Sequence, residues 1–331
     1  MKPLIGIHHV TAMTSSAEKI YEFFTYTLGI RLVKKTINQD DIQTYHLFFA
    51  DDEGHAGTDM TFFDFPGAAK AVKGTNEIAK TGFRVPSNQA IIYWQKRFEK
   101  LGVKHQSPRK LFNRMTLEFY DFDDQEYVLF SDEGVPGVPS GKPWKKGPIP
   151  DEFSITGLGP VFFRVNQHEL MESVLTQKLT FNFVEKQDNY YLYQSGDGGN
   201  GASVIIIDQP NALPARQGYG GVHHVAFGVK DDQDIYAWIK HLTELRVPHS
   251  GYVDRFYFHS LYTRLYPGIL FEFATVGPGF IDDEESYEIL GETLALPPRF
   301  RKDRATIESL VRPIDTKRSH LILKKEYMEE L

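Results

Sequence analysis

Nearly the same short sequence occurs twice in this chain, as GIHHVT beginning at residue 6 and as GVHHVAF beginning at residue 221. In both copies two adjacent histidines run into a valine, among residues that favour β-strands. Such self-similarity indicates a repeated structural unit. A fold that satisfies this sequence must therefore build equivalent strands from the two ends of the chain.

An amphipathic helix is predicted after each histidine pair. After the first pair, Ser15 and Glu18 have capping-box spacing, and apolar residues recur at helical period until Gly29. After the second pair, Asp231 or Asp232 is the expected cap of a helix with an apolar stripe. The repeat therefore extends beyond the histidines.

Three strand-like runs follow each of these helices. The first copy gives RLVKKTI, TYHLFFAD and DMTFFDF, and the last copy gives GYVDRFYF, SLYTRLY and ILFEFAT. Two further segments, residues 75–134 and 154–210, have the same order with weaker similarity. The sequence therefore predicts an α+β protein of four β-α-β-β-β modules.

The spacing of the modules predicts the domain organisation. Residues 1–137 hold the first two modules, and residues 154–277 hold the last two. The Pro- and Gly-rich stretch between them, residues 138–153, is typical of a linker. Residues 278–331 form a charged, partly helical extension that we expect to pack across the outside.

Composition limits the classes of function. The 331 residues carry a net charge of -7 from interspersed acids and bases, which argues against a nucleic-acid partner. No apolar run is long enough for a signal peptide or a membrane span. The chain has no cysteine, which excludes disulfides and thiolate ligands and fits a reducing compartment. We therefore expect a cytoplasmic protein that binds neither membrane nor nucleic acid. Composition does not decide whether the chain forms a homo-oligomer.

A carboxylate in the last strand is unusual. Glu272 lies in the apolar run ILFEFAT, where alternation places it on the face opposite Phe271 and Phe273. Burying a carboxylate is costly unless a charged partner compensates it, and a divalent cation is one such partner. Glu272 is therefore a candidate metal ligand.

The duplicated histidines supply the other candidate ligands. Two imidazoles and one carboxylate form the facial triad that leaves positions on Fe(II) open for substrate and dioxygen. His9 shares a face with Thr11, and His224 shares a face with Ala226. Because adjacent strand residues point in opposite directions, either histidine of each pair could face inward. The alternative is that these histidines are only hydrogen-bonded core residues.

Residues 5–277 resemble the vicinal-oxygen-chelate superfamily, which includes glyoxalases, bleomycin-resistance proteins and extradiol ring-cleaving dioxygenases. Four modules with HHV at both ends look most like the hydroquinone-cleaving dioxygenases. The resemblance implies that two modules complete one cup around a metal, held by the histidine directly before each valine. By that match His9, His224 and Glu272 bind Fe(II), with Mn(II) or another divalent metal as the alternative.

The resemblance also implies the pairing of modules. Modules 1 and 4 would form one half-barrel containing His9, His224 and Glu272. Modules 2 and 3 would form a second half-barrel, whose corresponding strands TGFRV and GPVFFRV contain no histidine. We therefore expect one metal site per chain and a second cup that is structural.

Further site residues follow from the same match. Tyr262 precedes Glu272 by ten residues, across a turn at Pro267 and Gly268 that can return it to the glutamate. The resemblance implies that Tyr262 lies beside a metal-bound substrate and that Arg255 stabilises an anionic oxygen. His8, His223 and Thr11 are expected around the same pocket, with an ordinary packing role as the alternative for each.

The expected activity is ring cleavage of a hydroquinone-like aromatic by dioxygen on Fe(II), with the small aromatic and dioxygen as partners. One alternative is a glyoxalase-like isomerase or thiol transferase with a fourth protein ligand. Asp64 in FFDFP aligns with Glu272 in FEFAT and is the candidate for that ligand, although the break at Pro66 is expected to turn it away. Another alternative is a metal-free protein that binds aromatic drugs.

Overall fold

The computed structural model describes residues 2–282 and 284–331. Within these ranges the chain forms sixteen strands and five α-helices. The first module consists of β1 (Ile7–Met13), α1 (Ala17–Glu22), β2 (Arg31–Asn38), β3 (Asp41–Ala50) and β4 (Asp59–Phe63). The second module consists of β5 (Glu77–Val85), α2 (Asn88–Leu101), β6 (Arg109–Leu111), β7 (Arg114–Tyr120) and β8 (Glu126–Ser131).

The third and fourth modules repeat this order. The third consists of β9 (Leu158–Val165), α3 (His168–Ser173), β10 (Asn182–Gln187), β11 (Tyr190–Gln194) and β12 (Ser203–Asp208). The fourth consists of β13 (Gly221–Val229), α4 (Asp232–Glu244), β14 (Val253–Asp254), β15 (Phe258–Tyr266) and β16 (Ile269–Pro278). Helix α5 (Arg304–Leu310) lies in the extension that follows.

The strands form two eight-stranded sheets, and each sheet combines two modules. One has the order β14-β15-β16-β13-β1-β4-β3-β2 and joins modules 4 and 1, and the other has the order β10-β11-β12-β9-β5-β8-β7-β6 and joins modules 3 and 2. The predicted α+β fold and the predicted pairing of modules are therefore confirmed. We call the sheet of modules 1 and 4 the metal cup and the other sheet the second cup.

The helices begin near the predicted caps. Asp231 accepts hydrogen bonds from the backbone N–H groups of Gln233 and Asp234 at the start of α4. The capping-box prediction for α1 was wrong by one residue, because Ser16 rather than Ser15 accepts from the backbone of Lys19. The Ser15 hydroxyl instead donates to a carboxylate of the β7–β8 turn. A short π-helical segment, Phe23–Thr27, continues α1.

The carboxy-terminal extension does more than cover the outside of the molecule. Phe280 and Leu290 are buried against Phe48 and Tyr257 at one end of the metal cup, where the Phe280 and Phe48 rings lie 5.0 Å apart. The extension therefore contributes side chains to the hydrophobic packing of the metal cup. None of the helices in the described part of the chain is both long and apolar enough to cross a membrane.

Candidate metal centre

A local two-fold relation places the duplicated histidines together. Strands β1 and β13 are antiparallel, with Val10 opposite Val225, His9 opposite Ala226 and Thr11 opposite His224. Residues opposite each other in a sheet share a face, and so do residues two apart along a strand. His9 and His224 are therefore diagonal neighbours on one face, inside the metal cup.

Glu272 completes a compact cluster with the two histidines. The Nε2 atoms of His9 and His224 are 3.3 Å apart, and Glu272 Oε2 lies 3.1 Å from the first and 3.0 Å from the second. The residues are 1%, 5% and 0% exposed, respectively. The structure thus brings together the three residues that the sequence nominated as ligands.

The spacing of these three atoms fits a divalent metal. Ligand atoms at right angles to one another, each about 2.1 Å from a metal, are about 3 Å apart. The three observed separations are 3.0 to 3.3 Å, as expected for one face of an octahedron. Two imidazoles and one carboxylate are also a donor set that suits Fe(II) and leaves further positions open.

Glu272 is held as a carboxylate by its surroundings. Burial alone would raise its pKa, but the charges and hydrogen bonds of His9 and His224 hold the pKa well below its ordinary value. Ser260 on the neighbouring strand β15 donates to Glu272 Oε1 at 2.5 Å. Ser260 therefore fixes Oε1, and Oε2 remains directed at the two histidines.

His8 sets the tautomer of His9. Its Nε2 lies 2.9 Å from the carbonyl oxygen of Thr275, which can only accept, so this nitrogen carries the proton. Burial, and then the neighbouring His9, lower the pKa of His8 to about 3, so the ring is neutral. Its Nδ1, 2.9 Å from His9 Nδ1, must therefore accept a hydrogen bond from the Nδ1–H group of His9. The lone pair of His9 Nε2 is consequently free for a metal.

The second histidine pair repeats this contact. His223 Nδ1 lies 2.8 Å from His224 Nδ1, and burial, followed by the charge of His224, lowers the pKa of His223 to about 3. If His224 coordinates through Nε2, its Nδ1 donates to His223, and the proton of His223 then lies on its Nε2. His8 and His223 differ in one respect, because only His223 lines the cavity above the ligand cluster.

Tyr262 and Arg255 lie together at this cavity. Tyr262 is paired with Glu272 across β15 and β16, as the predicted hairpin requires. Its hydroxyl accepts a hydrogen bond from Arg255 Nε at 3.0 Å. Burial, and then the negative charge of Glu272, raise the pKa of Tyr262. The phenol therefore keeps its proton and can donate it into the cavity.

Thr11 lies behind the cavity rather than in its wall. It is fully buried, and its hydroxyl is 2.7 Å from the hydroxyl of Thr61. Thr61 in turn lies 2.9 Å from His46 Nε2, and His46 does line the cavity. The structure therefore gives Thr11 an indirect connection to the site through two other residues.

The alignment of Asp64 with Glu272 was wrong by three residues. Glu272 is opposite Ala226 in the β13–β16 pair, and the two-fold partner of Ala226 is Thr11, which is opposite Thr61. Thr61 is thus the counterpart of Glu272. Asp64 follows the end of β4, where its Oδ1 accepts from the backbone N–H of Tyr45 at 2.8 Å. A threonine therefore stands where a symmetric site would have its fourth ligand.

The cavity above the cluster has a volume of about 450 Å³. Its polar wall includes His223, Arg255 and Tyr262, and the β2–β3 turn lies over it. Its apolar wall consists of Phe48, Phe63, Phe65, Tyr257, Phe258 and Leu270. The site therefore combines an open metal face with room for an aromatic ring.

Sequence reasoning missed several polar residues of the site, among them Ser260, Thr61 and Asp40. Ser260 is two residues before Tyr262, so strand alternation could have placed it on the inner face. Thr61 needed the register of four strands, and Asp40 belongs to a turn that reaches the site across the cup. No local pattern distinguishes these last two residues.

The second cup has other residues at the equivalent positions. Its central pair is Thr81 opposite Val161, which corresponds to Val10 opposite Val225. The residues before this pair are Lys80 and Pro160, in place of His9 and His224, and the counterpart of Glu272 is Ile205, opposite Phe162. The Lys80 ammonium lies 2.6 Å from a Glu118 oxygen. The donor set of the metal cup is thus not repeated at these positions.

Comparisons with known proteins identify the family of this chain. A family model described as "Glyoxalase/Bleomycin resistance protein/Dioxygenase superfamily" matches residues 6–129. The chain is 43% identical over 314 residues to "Putative ring-cleaving dioxygenase MhqA" of Bacillus subtilis, across 93% of this chain and 98% of the relative. It is 31% identical over 304 residues to "Chlorohydroquinone/hydroquinone 1,2-dioxygenase" of Sphingobium indicum, across 89% of this chain and 92% of the relative.

Solved structures show the same fold. A Bacillus subtilis protein described as a "putative dioxygenase" superposes with a TM-score of 0.87 at 31% identity, across 96% of this chain and 99% of that chain. Glyoxalase I from Zea mays superposes with a TM-score of 0.57 at 14% identity, across 83% of this chain and 92% of that chain. The latter likeness concerns the fold alone.

Proposed function

This chain belongs to the glyoxalase/bleomycin resistance protein/dioxygenase superfamily, and we propose that it is an Fe(II)-dependent, extradiol-type ring-cleaving dioxygenase for hydroquinone-like aromatics. The observation that carries the proposal is the buried His9, His224 and Glu272 cluster at the base of an aromatic-lined cavity. The ring-cleaving activities in the names of the relatives support the reaction class. The hydroquinone in the name of the Sphingobium enzyme supports the substrate class.

The metal and the chain divide the chemistry between them. An iron ion held by His9, His224 and Glu272 would supply the redox chemistry that lets dioxygen react with an electron-rich ring. The side chains of the cavity position the ring, exclude water and donate hydrogen bonds and protons to the substrate. His8 contributes indirectly, because it keeps the proton of His9 on Nδ1, away from the ligand atom.

Two side chains of the cavity wall can donate hydrogen bonds to a bound phenol. Tyr262 holds its proton because its pKa is raised, and Arg255 orients its oxygen. His223 is neutral because its pKa is lowered to about 3, so its Nε2 is a hydrogen-bond donor with no charge. Tyr262 can therefore donate its proton to a substrate oxygen, and His223 can donate a hydrogen bond to that oxygen, as the ring loses its aromatic character. Arg255 therefore stabilises an anionic substrate oxygen mainly by orienting the Tyr262 hydroxyl.

The cavity favours a hydroquinone over a catechol as substrate. A catechol can place both adjacent oxygens on a metal, whereas a hydroquinone can place only one and needs separate polar recognition of the other. The wall offers His46, His223, Arg255 and Tyr262 beyond the ligands themselves. The surrounding phenylalanines enclose the apolar ring edges. The proposed substrate is therefore a hydroquinone with small substituents.

Oxygen uptake tests the proposal directly. Protein loaded anaerobically with Fe(II) is mixed with substituted hydroquinones and catechols in parallel, and with isotopically labelled dioxygen. We expect uptake with hydroquinones and both labelled atoms in the ring-opened product, and we expect none with E272A. Uptake with catechols alone would overturn the substrate class, and no uptake despite bound iron would overturn the dioxygenase itself.

A further inference from the structure

The sheet of the metal cup curls until its two edge strands face each other across the cavity. These edges are β14 and β2, which come from module 4 and module 1. The turn after β2 and the residue after β14 both line the cavity. We call the line along which these two edges meet, above the ligand cluster, the seam. The contact between the turn after β2 and the residue after β14 closes it.

One ion pair joins the two sides of the seam. Arg255, directly after β14, donates from Nη1 and Nη2 to the two carboxylate oxygens of Asp40 in the β2–β3 turn, at 3.2 and 2.9 Å. Gln39 Nε2 donates to the carbonyl oxygen of Arg255 at 2.7 Å. Arg299 Nη2 donates to the other polar atom of the same amide, Gln39 Oε1, at 2.7 Å. The two edges are therefore joined by the two-point ion pair between Arg255 and Asp40 and by the hydrogen bond from the Gln39 amide.

The same guanidinium also holds Tyr262. Arg255 Nε donates to the Tyr262 hydroxyl at 3.0 Å, and the guanidinium carbon lies 5.2 Å from the centre of the tyrosine ring. A planar guanidinium that uses Nε, Nη1 and Nη2 at once has one orientation. Asp40 therefore fixes the orientation in which Arg255 contacts Tyr262.

We propose that Asp40 is a positioning residue that closes the seam of the metal cup and holds Arg255 against Tyr262. The proposal rests on the proposed function, which assigns Tyr262 to the substrate. The Asp40 side chain is 69% exposed and that of Arg255 is 19% exposed. Exposed ion pairs contribute little to global stability. Loss of Asp40 should consequently affect the seam and the reaction far more than the fold.

A double-mutant cycle on oxygen uptake tests the path through Tyr262. We expect Asp40→Asn to lower kcat/KM for a hydroquinone about tenfold, since it weakens a forked, charge-assisted pair. In a Tyr262→Phe background the same substitution should cost less than about twofold, because the group it positions is gone. Asp40→Glu should restore most of the loss. Equal losses in both backgrounds would overturn the proposal.

Hydrogen exchange tests the seam without any reaction. The backbone amides of residues 38–43 should exchange at least about fivefold faster in Asp40→Asn, with an unchanged thermal midpoint. Glu53→Gln is the control, because Glu53 also forms a solvent-exposed ion pair, with Lys142 at 2.8 Å, and it should leave this exchange unchanged. Unchanged exchange in Asp40→Asn would overturn closure of the seam. A wild type that consumes no oxygen with any aromatic would instead refute the proposed function, and exchange would still decide the role of Asp40.

Discussion

Replacing Glu272 by glutamine should remove most of the stabilisation that a divalent metal gives this protein. The substitution keeps the shape of the side chain and its contact with Ser260, but removes the only carboxylate in the described ligand cluster. We expect metal affinity to fall at least about 100-fold. The thermal midpoint measured with and without metal reports this loss.

The size of the expected shift follows from linkage. A metal at 100 times its Kd stabilises the native state by about 2.7 kcal/mol. Unfolding a chain of 331 residues has an entropy of about 0.7 kcal/mol per degree, so the wild type should gain about 4 °C. At the same metal concentration, E272Q would be near its Kd and gain about 0.4 kcal/mol, or less than about 1 °C.

The assay is a thermal unfolding scan under anaerobic conditions, with Fe(II) or Mn(II) and with chelator. Asp64→Asn is the control, because the Asp64 carboxylate accepts from the backbone of Tyr45 outside the cup. Its metal-induced shift should equal that of the wild type. An undiminished shift in E272Q would refute the assignment of Glu272, and a lost shift in D64N would refute the register that places Thr61 at the fourth position.

Three further predictions concern His8, Thr61 and Asp121. His8→Phe removes the acceptor for His9 Nδ1, so metal affinity should fall about 10- to 100-fold in a chelator competition; wild-type affinity would show that His8 does not orient His9. Thr61→Glu places a carboxylate at the counterpart of Glu272, so metal should bind at least about tenfold more tightly while oxygen uptake falls, because an open position is lost. Unchanged affinity in a folded T61E protein would contradict the two-fold relation. Burial raises the pKa of Asp121 to about 7, so the folded protein keeps a proton that the unfolded chain loses above about pH 4. Stability should therefore fall as pH rises from about 4 to 7, by about 4 kcal/mol at most, and Asp121→Asn should flatten that fall in urea unfolding at several pH values. An identical pH dependence in D121N would contradict this assignment.

The repeat itself was readable from the sequence. Strand and helix periodicity is a local property, so the four modules, the two histidine pairs and Glu272 required only the residue pattern. The resemblance to a known superfamily was needed to choose His9 and His224 within their pairs. The resemblance to a known superfamily then predicted which modules pair. The sheet order confirms that pairing.

Tertiary structure alone decided the register in which the strands meet. Asp64 shows why: the pattern of two short strands leaves their register free, and a shift of three residues exchanges Thr61 for a carboxylate outside the cup. Register depends on hydrogen bonds between segments far apart in the chain, which local periodicity does not encode. For the same reason, no local pattern indicates that Asp40 contacts Arg255 across the seam, or that the Phe280 ring packs against Phe48.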